Sequence, residues 1–239
     1  MALTKAEYTE IKMRYHVELD IDFQRNTLGG KYIAIEGIDG SGKSTQVLHV
    51  QDYFTKQGKE VLLTSEPHHG SMVEKMIRDA LQSKITIPSA ALQYLYSADR
   101  VINQESIVKP SLSQEKIVLS HRVFWSAVPY GLLDKIMGLK GGDYDFNQSS
   151  QIMIAQGLLS MYHQFVVPDV TFYLDISVDT AMERLSHMDK TKEIYEKRDK
   201  LEKIREGYNL LINMFPKEFV VIDGEQSEKQ VTEDILRKL

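Results

Sequence analysis

A chain of 239 residues with 42% apolar and 26% charged residues has room for one domain with a real core, or one domain with small appendages. Its net charge of −5 argues against a protein that coats a polyanion, and its lack of cysteine excludes disulfides and thiolate metal sites. The opening residues lack the long apolar stretch of a secretory leader, and no run approaches the roughly 18 apolar residues of a membrane span, so the expected setting is the cytoplasm, with neither nucleic acid nor membrane as partner.

In chain order, residues 1–30 are polar and mixed, with a short helix expected over 6–17 and Gly29-Gly30 as a hinge. They read as an appended arm, partly ordered at most, ahead of a domain over 31–239. Residues 31–36 form an apolar strand that runs into Gly37-x-x-x-x-Gly42-Lys43-Ser44. Glycines at that spacing let the backbone curl until consecutive N–H groups face one concavity, and a helix starting near Lys43 sets its positive end under the same space. The pattern points to a nucleoside triphosphate, ATP, held by Gly37, Gly40, Ser41, Gly42, Lys43, Ser44 and Thr45. Lys43 would reach the β- and γ-phosphates, and the Ser44 hydroxyl would ligate Mg²⁺. A Gly-rich turn with no ligand is the plainer alternative. The helix that follows, over 44–54, has Val47, Leu48 and Tyr53 as apolar positions.

Beyond it a strand is expected over 60–64, a loop over 65–70, and helices over 72–81 and 90–107, the second with Leu92, Leu95, Tyr96, Val101 and Ile102 near one face. A third strand covers 117–120. Gly, Asp, Asn and Ser make 138–150 an exposed loop. Helix returns over 151–165, then a fourth strand over 170–176 and a helix over 180–187. Residues 189–200 are densely charged; a helix over 201–214, a fifth strand over 219–222 and a helix over 228–239 close the chain. Strands alternating with helices predict an α/β fold with a five-stranded parallel sheet flanked by helices. Ligands of such sheets lie beyond the carboxyl ends of the strands, so one crevice could gather 37–45, 65–70, His121-Arg122 and Asp175-Ile176.

Several stretches in this order carry a resemblance: Ile35-Glu36-Gly37-Ile38-Asp39-Gly40-Ser41-Gly42-Lys43-Ser44-Thr45-Gln46, Ser65-Glu66-Pro67, Tyr96-Ser97-Ala98-Asp99-Arg100, and 168–177, with Ile204-Arg205-Glu206-Gly207-Tyr208 and 219–223 downstream. From about Lys31 to Leu239 the chain resembles the thymidylate kinases, P-loop nucleoside monophosphate kinases that phosphorylate dTMP with ATP. The resemblance implies a three-layer P-loop NTPase fold with a mobile lid near 188–200, Mg²⁺ as cofactor and a homodimer. Residue by residue it implies that Asp39 accepts from the sugar 3′-OH, Tyr96 stacks on the base and Arg100 donates to a base carbonyl. It further places Tyr130 against the deoxyribose, Arg122 on the acceptor phosphate, and Glu66 and Pro67 in the substrate site. The bland readings stand beside these: loop capping for Asp39, core packing for Tyr96 and Tyr130, an ion pair for Arg100. Asp175 reads as a helix cap. Family members with an Arg in the phosphate loop have Gly40 replaced, so here the transition-state cation is expected from the lid, from Lys190, Lys192, Lys197 or Arg198, with Lys192 and Arg198 taken beside Lys43 and Arg122 as the catalytic set. The lone tryptophan, Trp125, is expected close to the substrate pocket.

The chain also departs from the family. The usual Asp-Arg-Tyr after the third strand is His121-Arg122-Val123, and an imidazole cannot copy a hard carboxylate's service to Mg²⁺. His121 reads either as a donor to phosphate when protonated or as a tolerated structural histidine. The polar residue often found at Ala127 is missing, the glycine pair after Pro67 is His68-His69, and 125–150 is longer than usual. His69 reads either as facing the acceptor phosphate or as a loop residue; a His68, His69 and His121 metal site is the weaker reading, since nothing in the sequence joins the three. The leading reading is transfer of the ATP γ-phosphate to dTMP. The alternatives are a kinase of another nucleoside monophosphate, or a nucleotide-binding paralogue impaired by His121.

Overall fold

The computed structural model describes residues 23–138, 148–188 and 193–239. Strand and helix alternate as β1 (Lys31–Glu36), α1 (Lys43–Lys56), β2 (Val61–Ser65), α2 (Met72–Leu81), α3 (Ser89–Asn103), α4 (Lys109–Ser113), β3 (Ile117–His121), α5 (Ala127–Gly138), α6 (Gln148–Leu159), β4 (Val170–Asp175), α7 (Val178–Ser186), α8 (Arg198–Met214), β5 (Phe219–Asp223) and α9 (Glu228–Leu236). The five strands make one parallel sheet in the order β2-β3-β1-β4-β5. The connections from β1 and β3 leave in opposite directions, toward β2 and β4, which opens a crevice at their carboxyl ends. The register brings Ile35, Ser65 and His121 level there.

Period-two alternation divides the core. Ile33 and Ile35 of β1 and Phe172 and Leu174 of β4 pack with Val47, Val50 and Phe54 of α1 and Val231 and Ile235 of α9. Tyr32, Ala34 and Tyr173 point the other way, into the larger core with α3, α5 and α8. Sheet and two helical layers follow, as expected.

Two helices bury different faces from those expected. On α1, Leu48 and Tyr53 are exposed, and Lys43, Gln46, Val47, Val50 and Phe54 are buried. On α3, Leu92 is buried as expected, but Val101 and Ile102 are exposed while Ser97, Asp99, Arg100 and Asn103 are buried. A hydrophobic stripe misleads where a helix turns polar groups inward to make a site. The helix does not stop at 107: a π-helical turn, Gln104–Val108, joins α3 to α4. Helix α5 was not expected; Pro129 and Gly131 break the pattern, yet Ala127, Val128, Leu132 and Leu133 are all buried.

Residues 23–30 are tied to the body. Phe23 packs its ring on Phe124, Trp125 and Phe215, Asn26 Nδ2 donates to Asp169 Oδ2 at 2.9 Å, and Gly30 N donates to Leu112 O at 2.8 Å. Gly30 is no hinge: a Cβ there would lie 2.2 Å from Lys116 O, so the glycine marks a close backbone approach. The helix expected over 6–17 and most of the loop expected over 138–150 lie outside the described residues. Among the described residues no helix is long and apolar enough to cross a membrane.

Candidate active site

The phosphate loop leaves the end of β1. Glu36, fully buried there, accepts from Val123 N (2.9 Å), Ser126 Oγ (2.8 Å) and Tyr208 OH (2.7 Å), which fastens β1 to the turn after β3 and to α8. A buried carboxylate is tolerated when several donors share it. Gly40, at φ +84°, sits where a Cβ would lie 2.7 Å from Ala181 O of α7, so only glycine lets the loop pass. Gly42, at φ +93°, is the N-cap of α1 and offers no side chain to cap it. By contrast Ser71, Ser177 and Ser227 accept from first-turn N–H groups of α2, α7 and α9. The first turn of α1, with Ser44 and Thr45, thus presents N–H groups to an incoming anion. Ser41 closes the loop through its N–H to Ile38 O. Lys43 is buried and curls over its own loop, with Nζ donating to Ile38 O at 2.8 Å and lying 4.0 Å from Asp39. Arg184 on α7 reaches Gly40 O (3.5 Å) and Gly224 O (3.0 Å). Nothing in the sequence pattern marks this cation beside the loop, because an arginine on an amphipathic helix looks like any surface charge.

The exposed Ser44 places its Oγ 3.3 Å from His121 Nε2. Burial, with Lys43 and Arg122 nearby, drives the His121 pKa down to about 3, which favours the neutral imidazole; a phosphate beside Nε2 would act in the opposite sense. The Ser44 hydroxyl fits a cation brought in by a nucleotide, whereas position 121 adds no carboxylate oxygen. His68, His69 and His121 do line one cavity with Ser44 and Ser65, of about 350 Å³. Yet among the described residues no group of three His, Asp or Glu is set to hold a metal. His69 instead accepts from Arg78 at 3.2 Å and lies 3.6 Å from Glu74.

Across from the loop a cavity of about 200 Å³ gathers Asp39, Glu66, Pro67, Tyr96, Arg100, Arg122 and Tyr130. Three strand ends, α3 and α5 therefore supply one site, and Asp175-Ile176 at the end of β4, expected in the same crevice, line neither cavity. Arg122 sits at its floor in the left-handed conformation, φ +69°, a strained backbone for a non-glycine residue. Its guanidinium donates to Gly37 O and Tyr208 OH, both at 2.9 Å, and to Asp39 Oδ1 at 2.5 Å, and lies under the Tyr130 ring at 5.1 Å. Asp39 is thus paired with Arg122, and accepts from Tyr130 OH at 3.4 Å. Arg100 donates through Nε to Glu66 Oε2 (2.8 Å) and through Nη1 to Tyr162 OH (2.9 Å), and spreads over the Tyr96 ring at 5.3 Å. The ion pair expected as its bland role is real, and the same side chain still lines the cavity. Burial lifts the Glu66 pKa to about 7 even with Arg100 beside it, and Glu66 Oε1 has no hydrogen-bond partner among the described residues.

The cavity also holds Arg78, Gln93 and Tyr195, which sequence reasoning missed. Tyr195 stands edge-on to Tyr130 at 5.1 Å and its segment is pinned where Ile194 N donates to Leu81 O at 3.1 Å. Of the cations expected from a lid, Lys190 and Lys192 lie outside the described residues. Lys197 is the N-cap of α8, and Arg198 pairs with Asp179 at 2.6 Å and lines neither cavity. Trp125 is not beside the substrate pocket: it is fully buried in an aromatic cluster with Phe23, Phe124, Phe215 and Phe219. Asp175 caps no helix; Ser177 caps α7, and Asp175 pairs with Arg205 at 3.0 Å.

A family model described as Thymidylate kinase matches residues 35–235. A thymidylate kinase of Thermoanaerobacter sp. (strain X514) is 34% identical over 208 residues, 87% of this chain and 96% of that protein. One from Sulfurihydrogenibium sp. (strain YO3AOP1) is 35% identical over 220 residues, 88% of this chain and 97% of that protein. A probable thymidylate kinase of Thermococcus gammatolerans is 31% identical over 215 residues, 87% of this chain and 94% of that protein. The solved structure of thymidylate kinase from Candida albicans shares the fold, with a TM-score of 0.70 and 22% identity over 87% of this chain and 90% of that one. With its phosphate loop, its parallel sheet and this extent of likeness, the chain belongs to the thymidylate kinase family.

Proposed function

We propose that this protein transfers the γ-phosphoryl group of ATP to dTMP, giving ADP and dTDP. The observation that carries the reading is Arg122: its guanidinium is pinned between the phosphate loop, at Gly37 and Asp39, and a cavity walled by Tyr96, Arg100 and Tyr130. A donor held between the phosphate loop and that cavity is placed where an acceptor phosphate would meet a γ-phosphate. An oxygen of the acceptor phosphate attacks the γ-phosphorus in line, that P–O bond forms as the bond to the ADP oxygen breaks, and no covalent enzyme intermediate is needed. Lys43 turns from Ile38 O to the β- and γ-phosphates. Arg122 holds the acceptor phosphate through parallel N–H groups. Asp39 and Tyr130 hold the sugar, and Tyr96 and Arg100 the base. Mg²⁺ would be held by Ser44 and the ATP phosphates and would supply charge neutralisation. Lid cations complete that charge on closure; Lys192 and Arg198 are the residues assigned, and Arg198 must leave Asp179 to serve.

The setting proposed is cytoplasmic. A homodimer is supported by the apolar side chains left exposed on neighbouring helices, Met72 and Met76 of α2 and Tyr94 of α3; sedimentation would test it. A coupled ADP-release screen over nucleoside monophosphates tests the activity. Release with dTMP supports the reading, and silence with dTMP beside a signal from another monophosphate reassigns the acceptor.

A further inference from the structure

Gln93 lies on α3 one turn before Tyr96 and two turns before Arg100, so the three share a helix face, and all three line the cavity opposite the phosphate loop. Its Nε2 donates to Asp134 Oδ2 at 2.7 Å. A carboxylate only accepts, so the NH₂ end of the amide is the end that faces Asp134, and the carbonyl oxygen is turned the other way. Asp134, buried on α5, is held in turn by Tyr195, whose OH lies 2.9 and 3.0 Å from its two oxygens. Among the described residues no other hydrogen bond engages the Gln93 side chain. The amide is therefore oriented from behind, by a residue of α5 and one from the segment leading into α8, while its acceptor end remains to be matched by a ligand.

We propose that Gln93 Oε1 reads a ring N–H of the acceptor base, and that Asp134 and Tyr195 are positioning residues that fix which end of the amide it meets. This rests on the reading of the cavity as the acceptor-nucleotide site. The base class follows from the donor pattern. A pyrimidine-2,4-dione carries an N3–H between two carbonyls: the N–H suits Gln93 Oε1, and a carbonyl suits Arg100, which can only donate. A 4-aminopyrimidine reverses both groups, setting an N3 lone pair against Gln93 Oε1 and an amine against Arg100. A site built to pair with a donor rejects the analogue lacking it, because its own acceptor is left unpaired. Gln93 thus selects thymine-like and uracil-like bases over cytosine.

The test is calorimetric binding of dTMP and dCMP to the full chain and to its Gln93→Met and Asp134→Asn variants. The wild type should prefer dTMP. Gln93→Met should cut the dTMP-to-dCMP preference by about tenfold or more. Asp134→Asn offers an amide that can either donate or accept, so Gln93 is free to turn; dTMP should weaken while dCMP tightens. A merely structural role would weaken both nucleotides together and leave the ratio unchanged. A wild type that binds dTMP, with a Gln93→Met variant that keeps the wild-type ratio, overturns the inference, and this holds even if Asp134→Asn does not fold. A wild type that binds neither nucleotide removes the acceptor-site reading itself.

Discussion

Replacing Arg122 with alanine removes the group that joins the two halves of the site. Its charge-assisted bonds to Gly37 O, Tyr208 OH and Asp39 are lost together. Breaking a buried ion pair from one side costs about 3–5 kcal/mol when the remaining charge is stranded. Neither neighbouring carboxylate, Asp39 or Glu36 at 3.7 Å, is fully stranded here. Glu36 keeps its donors Val123 N, Ser126 Oγ and Tyr208 OH, and the Asp39 side chain, 23% exposed, can recruit water. The low end applies, about 3 kcal/mol, which for a chain of this size lowers Tm by about 6–12 °C. Loss of two hydrogen bonds to the acceptor phosphate should weaken dTMP about 100-fold. Arg122→Lys keeps the charge without the fork and should recover less than half of either effect. Thermal unfolding by circular dichroism and calorimetric titration of dTMP measure the two losses. An Arg122→Ala variant with unchanged Tm and dTMP affinity within about threefold of wild type would refute the assignment.

Lys43→Met keeps the stem and removes the cation, so Tm should change by no more than a few degrees while kcat falls about 100-fold or more; a fall in dTMP affinity with kcat intact would contradict the role. The folded-state pKa of Glu66 is raised above its ordinary value of 4.5 to about 7, so the folded state holds the extra proton in that window, and stability falls as pH rises through it. Urea midpoints at pH 5 and 8 should show that fall in the wild type and a flatter profile in Glu66→Gln; parallel profiles would argue against it. His121→Asp sets a carboxylate beside the Ser44 hydroxyl, and the Mg²⁺ concentration giving half-maximal ATP binding should drop several-fold, while an unchanged requirement would place position 121 outside the metal's reach.

The phosphate loop was legible because its constraints are local. Gly40 and Gly42 need left-handed backbone, and the strand before and helix after them are short-range signals. Strand positions were equally clear, since β1 and β4 are apolar on both faces. The polar half of the site was less so. Arg100 reads as a plain helical charge until Glu66, from the end of β2, is seen against it at 2.8 Å. Asp134 and Gln93 meet only because α3 packs on α5, and α5 itself was hidden by Pro129 and Gly131. Trp125 misled for the same reason: its place in the sequence lies near Arg122, but the short helical turn Phe124–Ser126 swings it into the core.

Central to the account is that two phosphate-bearing sites face one another across the end of β1. A single molecule carrying adenosine and thymidine joined by a chain of five phosphates should occupy both. Tethering makes the second contact intramolecular, so calorimetry should give one equivalent bound at least about 100-fold more tightly than ATP or dTMP alone. Binding no tighter than ATP itself would mean that the phosphate loop and the Arg122 cavity do not serve one reaction.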